Sequence, residues 1–94
     1  MCGIVGVYNL AGEERVNRQA FSSMIKCLYH RGPDDWGQYI DTRIALGHTR
    51  LKILDLSKNG SQPMSDPNGD IMITFNGEIY NFGEIKEELS GCCP

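Results

Sequence analysis

No run of apolar residues in this sequence approaches the ~20 that a membrane-spanning helix needs, so a transmembrane helix is excluded. It also lacks any cluster of Lys and Arg, and its formal net charge is −3, which argues against nucleic acid or an anionic membrane as the main partner. Small molecules or proteins are the partners this leaves. There is no Cys-x-x-Cys pair, and the two histidines, His30 and His48, stand far apart without flanking ligands, so no metal site is predicted. A basic, apolar leader is missing too, and Cys2, Cys27, Cys92 and Cys93 form no regular disulfide framework. Reduced thiols in a cytoplasmic protein are expected, and Cys2 is not read as a lipid anchor.

What is present suits a small soluble domain. Hydrophobic residues make up 40% and charged residues 22% of the 94, within the globular range. A chain this short buries roughly 60–65% of the surface its unfolded form would expose, so its stability is thin. Gly91 ends a helical pattern and Cys92-Cys93-Pro94 follow with no closing element, which predicts an interrupted domain.

The most chemically suggestive stretch comes first. Met1-Cys2-Gly3-Ile4-Val5-Gly6-Val7-Tyr8 places a cysteine behind the initiator methionine and ahead of a short strand-like run. Cysteine is small enough for Met1 to be trimmed, and Cys2 would then carry a thiol of ordinary pKa ~8.5 beside an α-amine near ~7.7–8. One residue would supply nucleophile and base, the logic of the threonine and N-terminal-amine pair. A Met-Cys-Gly start equally suits a small apolar residue at a strand edge, and on this stretch alone that plainer reading is preferred.

Farther along, a turn is expected over residues 9–14, then a helix capped by Asn17, with Val16 and Phe21 spaced as a hydrophobic staple. Ala20, Phe21, Met24, Ile25 and Leu28 recur at helical intervals, and the helix is predicted to end near His30, before Arg31-Gly32-Pro33-Asp34-Asp35. A hairpin follows, Trp36 to Ile40 and Ile44 to Leu46 around Asp41-Thr42, its second strand running on to Leu51. Arg50 stands among Leu51, Ile53 and Leu54. It needs either an edge strand or a cleft where the guanidinium can grip a carboxylate. Residues 55–70 read as one long loop, and Ile71 to Phe75 as a strand ending on Asn76-Gly77. That pair is ordinarily a hairpin turn. Here a helix from Phe82 to Leu89 follows instead, capped by Asn81 with Glu84, and an Asn amide beside a glycine N–H at a strand end is also what an oxyanion hole requires.

With these residues in view, the chain resembles the class II glutamine amidotransferases, which are N-terminal-nucleophile hydrolases, and within them the N-terminal part of glutamine-hydrolysing asparagine synthetase. The resemblance rests on Cys2-Gly3-Ile4-Val5-Gly6, His30-Arg31-Gly32-Pro33-Asp34, Leu46-Gly47-His48-Thr49-Arg50-Leu51, Gly60-Ser61-Gln62-Pro63-Met64 and Phe75-Asn76-Gly77-Glu78-Ile79-Tyr80-Asn81. Arg50-Leu51 and Gly32-Pro33-Asp34 favour the asparagine synthetase-like branch over relatives that aminate sugar phosphates or start purine synthesis.

The resemblance implies an α+β fold, the αββα sandwich of antiparallel sheets, with only its first half inside residues 1–94 of a domain about twice as long. It implies catalysis by Cys2, with Asn76 and the Gly77 N–H as oxyanion donors. Arg50 would bind the glutamine α-carboxylate and Glu78 its α-amine, the backbone at Ile53 would line the pocket, and Arg31 would support the thiol. Glutamine is the implied substrate, hydrolysed to glutamate and ammonia for ATP-dependent amidation of aspartate or another carboxylate. No cofactor is expected within these residues. ATP and magnesium belong to a synthetase domain outside them, and a homodimer is one way to cover the half-sandwich. On its own this stretch is expected to have little or no activity. An inactive fragment and a domain serving another acceptor are the alternatives; a binding module would make Cys2, Arg50, Asn76 and Glu78 independent accidents.

Overall fold

A computed structural model of the chain describes residues 2–10, 15–51 and 60–92. The backbone order is β1 (Gly3–Tyr8), α1 (Arg18–Lys26), β2 (Asp35–Ile40), β3 (Ile44–Arg50), β4 (Met64–Ser65), β5 (Met72–Ile73) and α2 (Phe82–Leu89). The fold class is α+β: an antiparallel sheet ordered β1-β3-β2, and a two-stranded antiparallel sheet of β4 and β5.

β3 is the middle strand, and its alternation organises the domain. Register pairs Gly3, Val5 and Val7 of β1 with Thr49, Gly47 and Ala45, and Trp36, Gln38 and Ile40 of β2 with the same three positions. Opposed residues share a face. This face receives α1, whose Phe21 and Ile25 pack with Ala45 as the buried core, flanked by Val5, Val7, Val16 and Ile40. Full burial of Phe21 and Ile25 contributes about 1.5–3 kcal/mol each. Thr49 closes the layer by donating its hydroxyl to the Leu28 carbonyl at 3.0 Å.

The start of α1 follows the sequence expectation. Asn17 Oδ1 accepts from the Ala20 N–H at 3.0 Å, and Val16 joins the Phe21 cluster. Its end is earlier than expected: the regular helix stops at Lys26, and tighter turns, Leu28 N–H to Ile25 carbonyl and Arg31 N–H to Leu28 carbonyl, carry the chain onward. There the loop folds against the end of β3. Pro33 bridges Arg50, the Asp34 N–H donates to the Arg50 carbonyl at 3.0 Å, and a Cβ on Gly32 would meet the Thr49 carbonyl carbon at 2.5 Å. Gly32 is thus more than a helix stop, since only a residue without a side chain lets the two backbones approach.

Three further expectations are corrected. The stretch 55–70 is not one loop: residues 52–59 lie outside those described, but 64–73 form a hairpin. Its turn is closed by the Asp66 N–H on the Ile71 carbonyl and the Ile71 N–H on Asp66 Oδ1, with Gly69 at φ 77°. The strand predicted over Ile71 to Phe75 contracts to Met72–Ile73, because its partner β4 offers two residues to pair with. Asn81 makes no side-chain cap: at φ −100°, ψ 30° it lacks the extended geometry that aims an Asn oxygen into the first turn. The helix itself spans Phe82–Leu89 as predicted, but no residue of it is buried.

Gly32→Ala is expected to destabilise the protein by about 1–3 kcal/mol, because backbone cannot yield as a flexible side chain would. Gly83→Ala in α2, where a Cβ meets nothing within 4 Å, should instead gain about 0.5–1 kcal/mol. Urea midpoints of the two variants would check the opposite signs.

Candidate active site

The other face of β3 carries Leu46, His48 and Arg50, opposite Tyr39, Gly37 and Asp35 of β2. Cys2 directly precedes β1 at this end of the sheet. Its sulfur receives the Leu51 N–H at 3.4 Å, and its carbonyl accepts from Arg31 Nε at 3.1 Å. The half-buried Cys2 is therefore held at two points, its sulfur and its carbonyl. One contact comes from the residue after β3, the other from the loop that Gly32 seats against Thr49.

Arg50 is 6% exposed on a central strand, so the edge-strand option fails. Its guanidinium lies against Gly60, where any side chain would collide with Nη2. Residues 60–63 run over this face. Ser61 Oγ donates to Asp35 Oδ2 at 2.5 Å, the Gln62 carbonyl presses on Gly37, and Gln62 Oε1 accepts from the Phe75 N–H at 2.6 Å. His48 Nδ1 lies 2.8 Å from Thr74 Oγ1.

Cys2, Arg31 and Arg50 thus gather at one end of the sheet. Asn76 is half-buried and follows Thr74 and Phe75 out of the small sheet. Gly77 and Glu78 are exposed, and Glu78 lines a cleft of about 400 Å³ with Phe75, Ile79, Tyr80 and Phe82. Among the described residues no hydrogen bond joins Cys2 to Asn76, Gly77 or Glu78. Ile53 lies outside the described residues. No group of three or more possible metal ligands occurs among them, and none of their helices is long and apolar enough to cross a membrane.

Sequence reasoning assigned no role to His48, Gln62 or Thr74. A signal existed for one of them, since Thr74 is a polar interruption in the otherwise apolar stretch Ile71 to Phe75. The partnership of His48 and Thr74, 26 residues apart, is visible only in the fold. His48 is 1% exposed. Its pKa is lowered from 6.5, first by burial and then by the Arg50 charge, with Asp35 opposing in part.

The family model for the glutamine amidotransferase domain matches residues 1–92. Asparagine synthetase [glutamine-hydrolyzing] 1 of Bacillus subtilis is 42% identical over 95% of this chain and 14% of its own length. An asparagine synthetase [glutamine-hydrolyzing] 1 of Arabidopsis thaliana is 36% identical over 95% of the chain and 15% of its own. A protein named amidase chry2, from Gibberella zeae, is 35% identical over 96% and 15%. No solved structure matches. The chain belongs to the class II glutamine amidotransferase family, and it is similar to the N-terminal part of asparagine synthetases. It spans between 12% and 21% of the length of the curated relatives it matches.

A pH dependence follows from His48. The unfolded chain takes up a proton near 6.5, the folded one only at lower pH, so just below 6.5 the unfolded state binds more protons. Stability from this group is complete above 6.5 and declines as pH falls through it. Urea midpoints between about pH 5 and 8 should show that decline in the native protein and a smaller one in His48→Asn.

Proposed function

We propose that this domain hydrolyses glutamine to glutamate and ammonia, with Cys2 as nucleophile. Removal of Met1 would free the Cys2 α-amine, which takes the thiol proton as sulfur attacks the side-chain amide carbon. The tetrahedral intermediate collapses when the carbon–nitrogen bond breaks and the amine returns the proton to the leaving ammonia. Water then attacks the thioester carbon, releasing glutamate and regenerating the thiol.

One observation carries this reading: Cys2 is clasped by Arg31 and the Leu51 N–H at the strand end that bears a buried Arg50. A buried guanidinium at a strand end is suited to gripping a carboxylate. In this reading Arg50 takes the substrate α-carboxylate, Glu78 its α-ammonium, and the backbone at Ile53 lines the pocket. The Asn76 amide and the Gly77 N–H hold the oxyanion, a task for which losing one donor costs about 10²–10³ in rate. Arg31 supports the thiol through the Cys2 carbonyl.

Ammonia would pass to an ATP- and magnesium-dependent synthetase domain of the same protein, for amidation of aspartate or another carboxylate. The matches to asparagine synthetases support this, and the similar match to amidase chry2 keeps the acceptor open. Residues 1–94 would then be the first part of an αββα sandwich. The exposed α2 and the lack of any described bond from Cys2 to residues 76–78 favour a second reading, that these residues alone hydrolyse little glutamine.

In the intact protein, Cys2→Ala should abolish glutamine hydrolysis while ammonia-dependent amidation continues; surviving hydrolysis would reject the nucleophile. Diazo-oxo-norleucine should add once, at a Cys2 that lacks Met1, as read by intact mass and peptide mapping. Arg50→Lys keeps the charge but loses the two-pronged grip, and should raise the KM for glutamine by about 10–100-fold.

A further inference from the structure

The segment that leads into Asn76 is not held by a sheet ladder. Pairing between β4 and β5 ends at Ile73, and Thr74 and Phe75 lie beyond it. Both are instead tethered by side chains from elsewhere: His48 Nδ1 to Thr74 Oγ1 at 2.8 Å, and Gln62 Oε1 to the Phe75 N–H at 2.6 Å. We propose that His48 and Gln62 are positioning residues, whose tethers on Thr74 and Phe75 set where Asn76 and the Gly77 N–H stand relative to Cys2. This rests on the reading of Asn76 and Gly77 as oxyanion donors.

The anchors of the two tethers make this more than local packing. His48 is two residues before Arg50 on the same face of β3, and β3 also aligns β1 behind Cys2. Gln62 is two residues after Gly60, which abuts the Arg50 guanidinium, and its own carbonyl rests on Gly37 opposite His48. Both tethers therefore tie the exit of the small sheet to the part of the large sheet that carries Cys2 and Arg50. Oxyanion stabilisation is steep in geometry, since donors must stand 2.7–3.1 Å from where charge develops.

The proton count favours one arrangement at His48. Thr74 has a single hydroxyl hydrogen, and its oxygen lies 3.4 Å from the Gly47 carbonyl as well as beside His48. Both contacts are hydrogen bonds when Nδ1–H donates to Thr74 and the hydroxyl donates to Gly47. Nε2 is then a bare lone pair, buried and without a partner among the described residues. A proton there would be a second buried positive charge close to Arg50. The ring is thus kept neutral in the tautomer the tether needs.

The test is steady-state glutamine hydrolysis by the intact protein. His48→Leu and Gln62→Leu delete the donor and the acceptor, His48→Asn keeps an N–H where Nδ1 stood, and Gln62→Glu keeps an acceptor oxygen. Each Leu variant should lower kcat about 10²-fold, the loss that a misplacement of about 1 Å can cause, while the KM for glutamine stays within about twofold. The conservative variants should recover most of the loss. A kcat within about twofold of native in both Leu variants would overturn the proposal, as would losses shared equally by the conservative ones. If His48→Leu fails to fold, the Gln62 pair decides by the same criteria. Cys2→Ala run alongside separates the two failures: hydrolysis surviving in Cys2→Ala sinks the glutaminase reading itself. Hydrolysis lost there but intact in both Leu variants sinks only the positioning role.

Discussion

The strand β3 has to satisfy two unlike environments at once. One set of its residues, Ala45, Gly47 and Thr49, lies on the α1 side, and the other, Leu46, His48 and Arg50, lies on the opposite side, where His48 meets Thr74 and Arg50 meets Gly60. Because the side-chain period of a strand is two, a one-residue slip would put Arg50 and His48 against Phe21 and Ile25, and Ala45 and Gly47 on the polar side. Burying an unpaired guanidinium in that core costs far more than any local preference could return. Apolar burial on one face thus fixes the register that places the charged group on the other.

That register reaches both parts of the candidate site by different means. Cys2 is positioned by the β1 ladder that starts at the next residue, by the Leu51 N–H on its sulfur and by Arg31 Nε on its carbonyl. Residues 74 and 75 are positioned by side chains, through His48 and Gln62. A backbone ladder is cooperative and rigid, whereas a side-chain tether contributes about 0.5–1.5 kcal/mol net and can be lost singly. The placement of Cys2 therefore draws on a ladder, whereas among the described residues that of the segment after β5 draws on single side-chain bonds.

How far the sequence could be read followed the range of the interaction concerned. The α1 cap at Asn17, the staple of Val16, the β2–β3 hairpin and the span of α2 are set within a few residues, and local spacing revealed them. Arg50 announced itself because a cation among Leu51, Ile53 and Leu54 needs an explanation wherever the strand lies. The β4–β5 hairpin was hidden: its strands are two residues each, too short for alternation to register, and its turn was masked by the polar composition around it. The failed Asn81 cap illustrates a different limit. Residue identity permits a cap, but the backbone entering α2 decides it. The ties from His48 and Gln62 were out of reach because they join residues 26 and 13 apart, which local spacing cannot pair.

The exposure of α2 bears on the energetics of the whole. Phe82, Ile85 and Leu89 recur at helical spacing, as on a helix that packs, yet are 67%, 38% and 46% exposed. A helix of eight residues is marginal in water, where the cost of nucleation outweighs so few propagation steps. Its stripe, continuous in sequence with Phe75, Ile79 and Tyr80 of the nearby cleft, is thus an unspent reservoir of apolar surface. Covering it would do more than stabilise α2. The same chain segment leads from Thr74 through Asn76 and Glu78 into that helix, so whatever packs on the stripe also restrains these residues from their C-terminal side. Among the described residues this stretch is tied by side chains at Thr74 and Phe75, its N-terminal end, and the oxyanion geometry proposed for Asn76 and Gly77 needs both ends held.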